Sequence, residues 1–190
     1  MNEDPSTFMV PPQDIVLPQI STEGLVLDIG GGGEGLVSRI AGNNVCAVDY
    51  RISEIREAQI HNPPANWFAA DGRALPFQDS TFDIATLWFS LGYMNEWSTK
   101  EAVLTEVLRT LKNEGKVLIM ASRIDCKEQR LVFSAHFTLP DGTVSKTGYG
   151  VRGNQNQILD TIDTLVREVG FKNIQSENHD WWFEVKAFKR

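Results

Sequence analysis

Leu25-Val26-Leu27-Asp28-Ile29-Gly30-Gly31-Gly32-Gly33-Glu34-Gly35 decides the fold of this 190-residue chain. A short apolar run stops abruptly at glycines, the pattern of a buried strand entering a tight turn. Glu34 to Ile40 then reads as a short helix. Gly30, Gly32 and Gly35 satisfy G-x-G-x-x-G between the two, with Asp49 about 20 residues on, at the end of the next strand. Glycines there let the backbone turn sharply and approach a ligand, and such a carboxylate can accept both hydroxyls of a ribose. A bare tight turn would also explain the glycines, and helix capping would explain Asp49. Asp28 narrows the choice. A carboxylate just before the first glycine repels a pyrophosphate and attracts a ligand with an ammonium group and a sulfonium centre. Its structural alternative is a turn residue bonding its own loop amides.

Downstream, the alternation continues. Asn44 to Asp49 predicts a second strand, Ser53 to Ile60 a helix and Trp67 to Ala70 a third strand. Phe82 to Phe89 predicts a fourth strand and Gly115 to Met120 a fifth. Between them, Val103, Leu104, Val107, Leu108 and Leu111 fall at helical spacing within Thr99 to Leu111. Apolar strands alternating with amphipathic helices imply an α/β, doubly wound, mostly parallel sheet. After Ala121 the rhythm breaks. Leu131, Phe133, Ala135, Phe137 and Leu139 alternate before the turn Pro140-Asp141-Gly142-Thr143, which predicts a β-hairpin inserted within 123–152. Asn154 is the expected cap of a helix running to Val169 and closed by Gly170. Phe171 to Ile174 and Trp182 to Phe188 read as an antiparallel pair. Upstream, Pro5, Pro11, Pro12 and Pro18 predict an irregular arm over 1–24, frayed at its start. The whole is expected to form one domain.

Composition excludes several classes. The net charge is −7 and the only basic run is Lys189-Arg190, which disfavours a nucleic-acid partner. No apolar stretch reaches the ~18–20 residues of a membrane span. The N-terminus lacks the basic start and apolar block of a secretory signal. Cys46 and Cys126 have no metal-ligand spacing and read as buried, reduced thiols, so a cytoplasmic location is expected.

The series of motifs resembles the class I S-adenosylmethionine-dependent methyltransferases, in particular the small-molecule branch of ubiquinone and menaquinone biosynthesis. Val26 to Gly33 is similar to that family's first motif and Val48-Asp49 to its acidic second. Ala70-Asp71-Gly72-Arg73-Ala74-Leu75-Pro76-Phe77, with Asp79-Ser80-Thr81-Phe82-Asp83, resembles the third and fourth. Glu106 to Gly115 and Leu165 to Phe171 are similar to the segments leading into the last strands, with a gap at the hairpin. The resemblance implies a seven-stranded Rossmann-like sheet with an antiparallel C-terminal strand, here with the extra hairpin. It implies S-adenosylmethionine as cofactor. Asp28 would hold the methionine ammonium through water, and Gly30, Gly31 and Gly32 would lie under the methionine and ribose. Asp49 would bind the ribose hydroxyls and Tyr50 would pack on adenine. Asp71 would accept from the adenine amine, with the Gly72 amide facing the ring and Trp88 beside the methionine. One departure stands out: Glu34 occupies the place of the motif's last glycine, and Gly35 follows it.

Methyl transfer from a sulfonium needs alignment and exclusion of water more than a catalytic triad, and none is visible. A base matters only for an acceptor that must lose a proton. Tyr93 and His136 are the candidates on the acceptor side. Their structural alternatives are a packed ring and a solvent-facing hairpin residue. His61 and His179 read as surface groups, and Trp181-Trp182 would point to opposite sheet faces. The apolar face of the hairpin must pack on something, either the mouth of the active site, which we expect, or a second subunit in a homodimer. A small-molecule acceptor is favoured. The alternatives are a non-catalytic S-adenosylmethionine-binding regulatory or assembly protein and, less favoured, a nicotinamide oxidoreductase.

Overall fold

The computed structural model describes residues 6–190 apart from residues 22 and 62. The frayed start expected for residues 1–5 lies outside the described residues. In chain order the elements begin with β1 (Thr7–Met9), β2 (Gln13–Val16), β3 (Val26–Ile29), α1 (Leu36–Ala41) and β4 (Val45–Asp49). There follow α2 (Ile52–Ile60), β5 (Asn66–Ala69), β6 (Phe82–Trp88), α3 (Trp97–Thr110) and β7 (Leu111–Ser122). The chain ends with β8 (Arg130–Thr138), β9 (Val144–Arg152), α4 (Leu159–Val169), β10 (Lys172–Asn178) and β11 (Trp182–Phe188).

Seven strands form the main sheet in the order β10-β11-β7-β6-β3-β4-β5. β3 pairs in parallel with β4 and β6, β4 with β5, and β6 with β7. β11 runs antiparallel to both neighbours, β7 and β10. The chain steps outward from β3 to β5, then crosses back to β6 on the other side. This reversal opens a crevice at the carboxyl ends of β3 and β6, where ligands of open α/β sheets bind.

One face of this sheet is covered as expected. Leu27, Ile29, Leu87, Val117 and Ile119 meet Val103, Leu104 and Val107 of α3 and Ile162 and Val166 of α4. The other face is covered differently. Val26, Val45, Ala47, Ile84, Trp88 and Met120 share a core with Val37 and Ala41 of α1, but also with Leu131, Phe133, Ala135 and Phe137 of β8. A second, four-stranded sheet takes the place of helices there. Its β8 and β9 are the hairpin, paired from Arg130↔Arg152 to Thr138↔Val144. The apolar face of the hairpin is therefore committed mainly to the core of its own chain. Phe133 and Phe137 are 0% and 1% exposed, so most of the face expected at the mouth of the site covers the main sheet instead, while Phe137 with Thr147, Gly148 and Tyr149 reaches the cavity as expected.

The N-terminal arm also departs from the expectation. It is not irregular throughout: β1 and β2 pair in parallel with successive halves of β8, Thr7–Met9 against Arg130–Val132 and Gln13–Val16 against Ala135–Thr138. Pro11 and Pro12 fall between them. Lacking an amide donor, they divide the edge strand into two pieces without preventing either. Ile15, Leu17 and Ile20 are then buried beneath the sheet.

Two smaller corrections have local causes. Asn154 does not cap α4, because it and Asn156 are held left-handed, at φ 50° and 52°. The helix starts at Leu159, where Thr161 Oγ1 accepts the Ile158 amide at 3.1 Å. Trp181 and Trp182 pack beside the same core rather than on opposite faces, since Trp181 precedes the strand and alternation does not bind it. Among the described residues, no helix is long and apolar enough to cross a membrane. Both cysteines are free and half-buried.

Two polar staples hold the segment that resembles the third and fourth motifs. Arg109 on α3 binds Glu106, Asp79 and the carbonyls of Leu75 and Phe77. Glu106 Oε2 in turn accepts the Leu75 amide at 2.8 Å. Asp83 accepts the Leu25 amide at 2.9 Å and two bonds from Lys112, tying the start of β3 to β6 and β7. These motif residues support the site without facing it.

Candidate active site

The crevice is a cavity of about 840 Å3 across the ends of β3, β4, β5 and β6. It lies near the top of the ~300–1,000 Å3 range of small-molecule sites. Asp28, Gly30, Gly31, Gly32, Asp49, Tyr50, Asp71, Gly72, Trp88 and Tyr93 all line it. His136 does not. On β8 it points away from the core, its Nδ1 paired with Asp14 Oδ1 at 2.9 Å. The acceptor role expected of it is corrected, because strand alternation turns Phe137 inward and His136 out.

Asp28 ends the central strand at 2% exposure. Thr86 Oγ1 on β6 donates to its Oδ1 at 2.7 Å. Burial pushes its carboxyl up to about 7; the Thr86 bond opposes that shift and the nearby Asp49 charge adds to it. Gly31 must be glycine, since a Cβ there would stand 2.3 Å from Asp28 Oδ2. The loop amides bind elsewhere: Gly30 and Gly31 donate to the Val48 carbonyl and Gly33 to that of Glu54. The turn-residue alternative for Asp28 thus finds no loop amide bonded to its carboxylate among the described residues.

Asp49 ends β4 and is held by its own loops, Oδ2 taking the Gly32 amide at 3.2 Å and Oδ1 the Arg51 amide at 2.8 Å. Asp71, after β5, is engaged in a two-pronged pair with Arg73, whose Nε and Nη2 lie 3.1 and 2.7 Å from its oxygens. Those bonds hold its carboxyl below the usual range. The Arg73 amide also donates to Asp71 Oδ1 at 2.9 Å, so this one residue meets both oxygens and a ligand amine would have to share them. Tyr50 is 78% exposed at the outer rim.

Glu34, the departure from the family's glycine, has a role of its own. Its Oε2 accepts from Ser145 Oγ on β9 and lies 3.8 Å from His61 Nε2, while Arg39 Nη1 donates to Ser145 at 3.1 Å. This cluster fastens the glycine loop to the second sheet. Outside the cavity lining, Lys100 on α3, 1% exposed, donates to the carbonyls of Leu91 and Met94 and to Gln155 Oε1. It thereby anchors the segment that carries Tyr93.

Sequence reasoning missed Phe89, Ser90 and Tyr149. Phe89 follows β6 with φ 58°, a left-handed conformation that costs a non-glycine residue about 1–2 kcal/mol. Strain of this kind gathers at functional sites. It turns the Phe89 ring into a cluster with Phe133, Phe137 and Tyr149 and sets Ser90 against Gly30, where a Cβ would meet Ser90 Cβ at 2.5 Å. Nothing in the sequence announces that backbone state. Tyr149 had a signal, a lone aromatic between Gly148 and Gly150.

With this geometry the comparisons with known proteins agree. Residues 27–119 match the methyltransferase domain family model. Over that stretch, just under half of the chain, it resembles the class I, Rossmann-like methyltransferases. A demethylmenaquinone methyltransferase of Renibacterium salmoninarum is 34% identical over 79 residues, 42% of this chain and 32% of that protein. A ubiquinone/menaquinone biosynthesis C-methyltransferase of Blochmanniella pennsylvanica is 31% identical over 110 residues, 50% of this chain and 41% of that one. The matches thus span less than half the length of these curated relatives. Among solved structures, an S-adenosylmethionine-dependent methyltransferase from Methanosarcina mazei aligns with a TM-score of 0.64 at 18% identity, covering 90% of this chain and 94% of that one. The methyltransferase domain model stops at Ile119, so the second sheet lies outside it.

Proposed function

We propose that this chain transfers the methyl group of S-adenosylmethionine to a small-molecule acceptor. One observation carries the reading: Asp28, Asp49 and Asp71 stand in sequence at the ends of β3, β4 and β5, with glycines packed against the first two. The cradle fits the cofactor. A Cβ on Gly32 would meet Asp49 Oδ2 at 2.7 Å, so only a bare backbone leaves that carboxylate facing the cavity. Asp28 suits an ammonium group, Asp49 a ribose diol and Asp71 an adenine amine, as the quoted motifs imply. A dinucleotide's pyrophosphate would meet carboxylates and, among the described residues lining the cavity, only arginines already paired with carboxylates, which disfavours the oxidoreductase alternative.

When bound, the cofactor supplies an activated methyl group on a sulfonium sulfur. The protein's part is placement. Asp28 and the glycine loop fix the methionine arm, Asp49 and Asp71 fix the nucleoside, and Trp88, Phe89 and Tyr149 exclude water beside the reacting carbon. Tyr93 stands half-buried at the rim, its phenol pushed up by burial, and would lose its proton less readily than a free phenol. No base is thus assigned.

A cytoplasmic location is part of the proposal, supported by two free thiols and the lack of a membrane-spanning helix among the described residues. S-adenosylmethionine or S-adenosylhomocysteine at a hundred times its dissociation constant should add about 2.7 kcal/mol, roughly 5–10 °C in melting temperature. NADH should add nothing comparable. A shift with NADH alone would overturn the reading. Binding without release of S-adenosylhomocysteine over a wide acceptor panel would favour the non-catalytic alternative.

A further inference from the structure

Five of the six residues from Gly30 to Gly35 are glycines, and Glu34 carries the only side chain among them. Glycine loses more backbone freedom on ordering than any other residue, so a loop of this composition is costly to hold in one shape. Backbone bonds fix its first part, where Gly30 and Gly31 donate to the Val48 carbonyl and Gly33 to that of Glu54. Beyond Gly33 the tie is the Glu34 carboxylate. Gly33 and Gly35, left-handed at φ 65° and 58°, bend the chain on either side of it. Its Oε2 takes the bond of Ser145 Oγ on β9, a residue 6% exposed. Arg39 Nη1 and His61 Nε2 flank that oxygen at 3.9 and 3.8 Å.

Both partners in this bond are departures from the resembled family. Glu34 stands where the first motif has its last glycine, and β9 belongs to the second sheet, outside the matched residues 27–119. Ser145 does not line the cavity. Its register partner Phe137 does, and so do Thr147, Gly148 and Tyr149 farther along β9. The Glu34–Ser145 bond therefore joins the cofactor cradle to the wall of the acceptor half.

We propose that Glu34 is a positioning residue: by binding Ser145 it holds the glycine loop in its ligand-ready shape against the second sheet, so that filling the cradle and ordering β9 favour each other. The role rests on the reading of the cradle as a cofactor site. Coupling of this kind is reciprocal, so a tether that favours the cofactor is favoured by it to the same degree.

Calorimetry of S-adenosylhomocysteine on the full chain and its variants tests this, together with hydrogen exchange at the Ser145 amide. Ser145→Ala and Glu34→Ala should each weaken the nucleoside about 5–10-fold, the value of one hydrogen bond. The double variant should lose no more than either, as expected for two ends of one interaction. Glu34→Gln, whose amide oxygen still accepts, should restore binding to within about twofold. In the unsubstituted chain the nucleoside should slow exchange at Ser145 by a factor similar to those losses, and in Glu34→Ala it should not. Unchanged exchange at Val117 and Ile119 of β7 reports a folded variant. Because Ser145 lies outside the cavity lining, its effect must pass through the loop. Unchanged affinity in Ser145→Ala, additive losses in the double variant, or a Ser145 amide indifferent to the nucleoside would each overturn the proposal. An unsubstituted chain that binds no S-adenosylhomocysteine would instead bring down the methyltransferase reading. Exchange at Ser145 in the unliganded chains would then still judge the tether, which fails if Glu34→Ala leaves it unchanged.

Discussion

Asp28 combines deep burial with a single hydrogen bond from Thr86, and its carboxyl is pushed up to about 7. A cationic ligand recruits only the ionised form. Below pH 7 binding must therefore expel a proton, and affinity should rise with pH until the group is fully ionised. Calorimetry between pH 5.5 and 7, below the range near 8 where an α-amino group deprotonates, should show S-adenosylmethionine binding strengthen about tenfold. Proton release should accompany it. A flat profile over that range would mean that Asp28 does not face the cofactor's ammonium. At this scale the sequence was informative wherever a residue type is forced by geometry. Gly31 and Gly32 could be read because a side chain at either would collide with a carboxylate. Phe89 could not, because no residue type marks a left-handed phenylalanine held by the rings around it.

β8 is the element whose role changed most between sequence and structure. Its alternation was plain, yet alternation says only that one face is buried, not what buries it. Phe133 lies between Phe89 and Tyr149 in the layer between the two sheets. Phe133→Ala should cost about 3–5 kcal/mol of stability, the range for removing a buried ring. Denaturant unfolding would read it as a lower midpoint at unchanged slope. A loss under 1 kcal/mol would mean that the second sheet rests only loosely on the first. β1 and β2 were hidden for a different reason. Strands of three and four residues split by prolines carry no periodic signal of their own; they exist because β8 offers them an edge. The parallel strands β3, β4 and β6 were legible because strands buried on both faces are apolar along their length.

For the molecule as a whole, the second sheet acts both as a cover for the main sheet and as a wall of the cavity. Leu131, Phe133 and Ala135 share a core with Val45, Ile84 and Met120, while Phe137, Thr147, Gly148 and Tyr149 reach the ligand crevice. The Glu34–Ser145 contact and the Lys100–Gln155 bond tie that sheet to both rims of the crevice. The cofactor half was readable from motif order because each of its groups ends a strand of the parallel sheet. The acceptor half was not, because it depends on how two sheets meet. This arrangement makes a sharp forecast for deleting residues 132–146 with a short glycine bridge. A detachable lid would leave a folded chain that binds S-adenosylhomocysteine and lacks turnover. Here the deletion strips Phe133, Ala135 and Phe137 from the core, leaves β2 without its partner residues and β1 with only Arg130 and Leu131, and exposes one face of the main sheet. At about 1.5–3 kcal/mol for each large buried side chain, the loss approaches or exceeds the 5–15 kcal/mol that holds a typical domain together. The deleted chain should show no cooperative thermal transition and no S-adenosylhomocysteine binding. If it melts cooperatively and binds the nucleoside as the full chain does, the second sheet is an appendage and the two-sheet core assigned here is wrong.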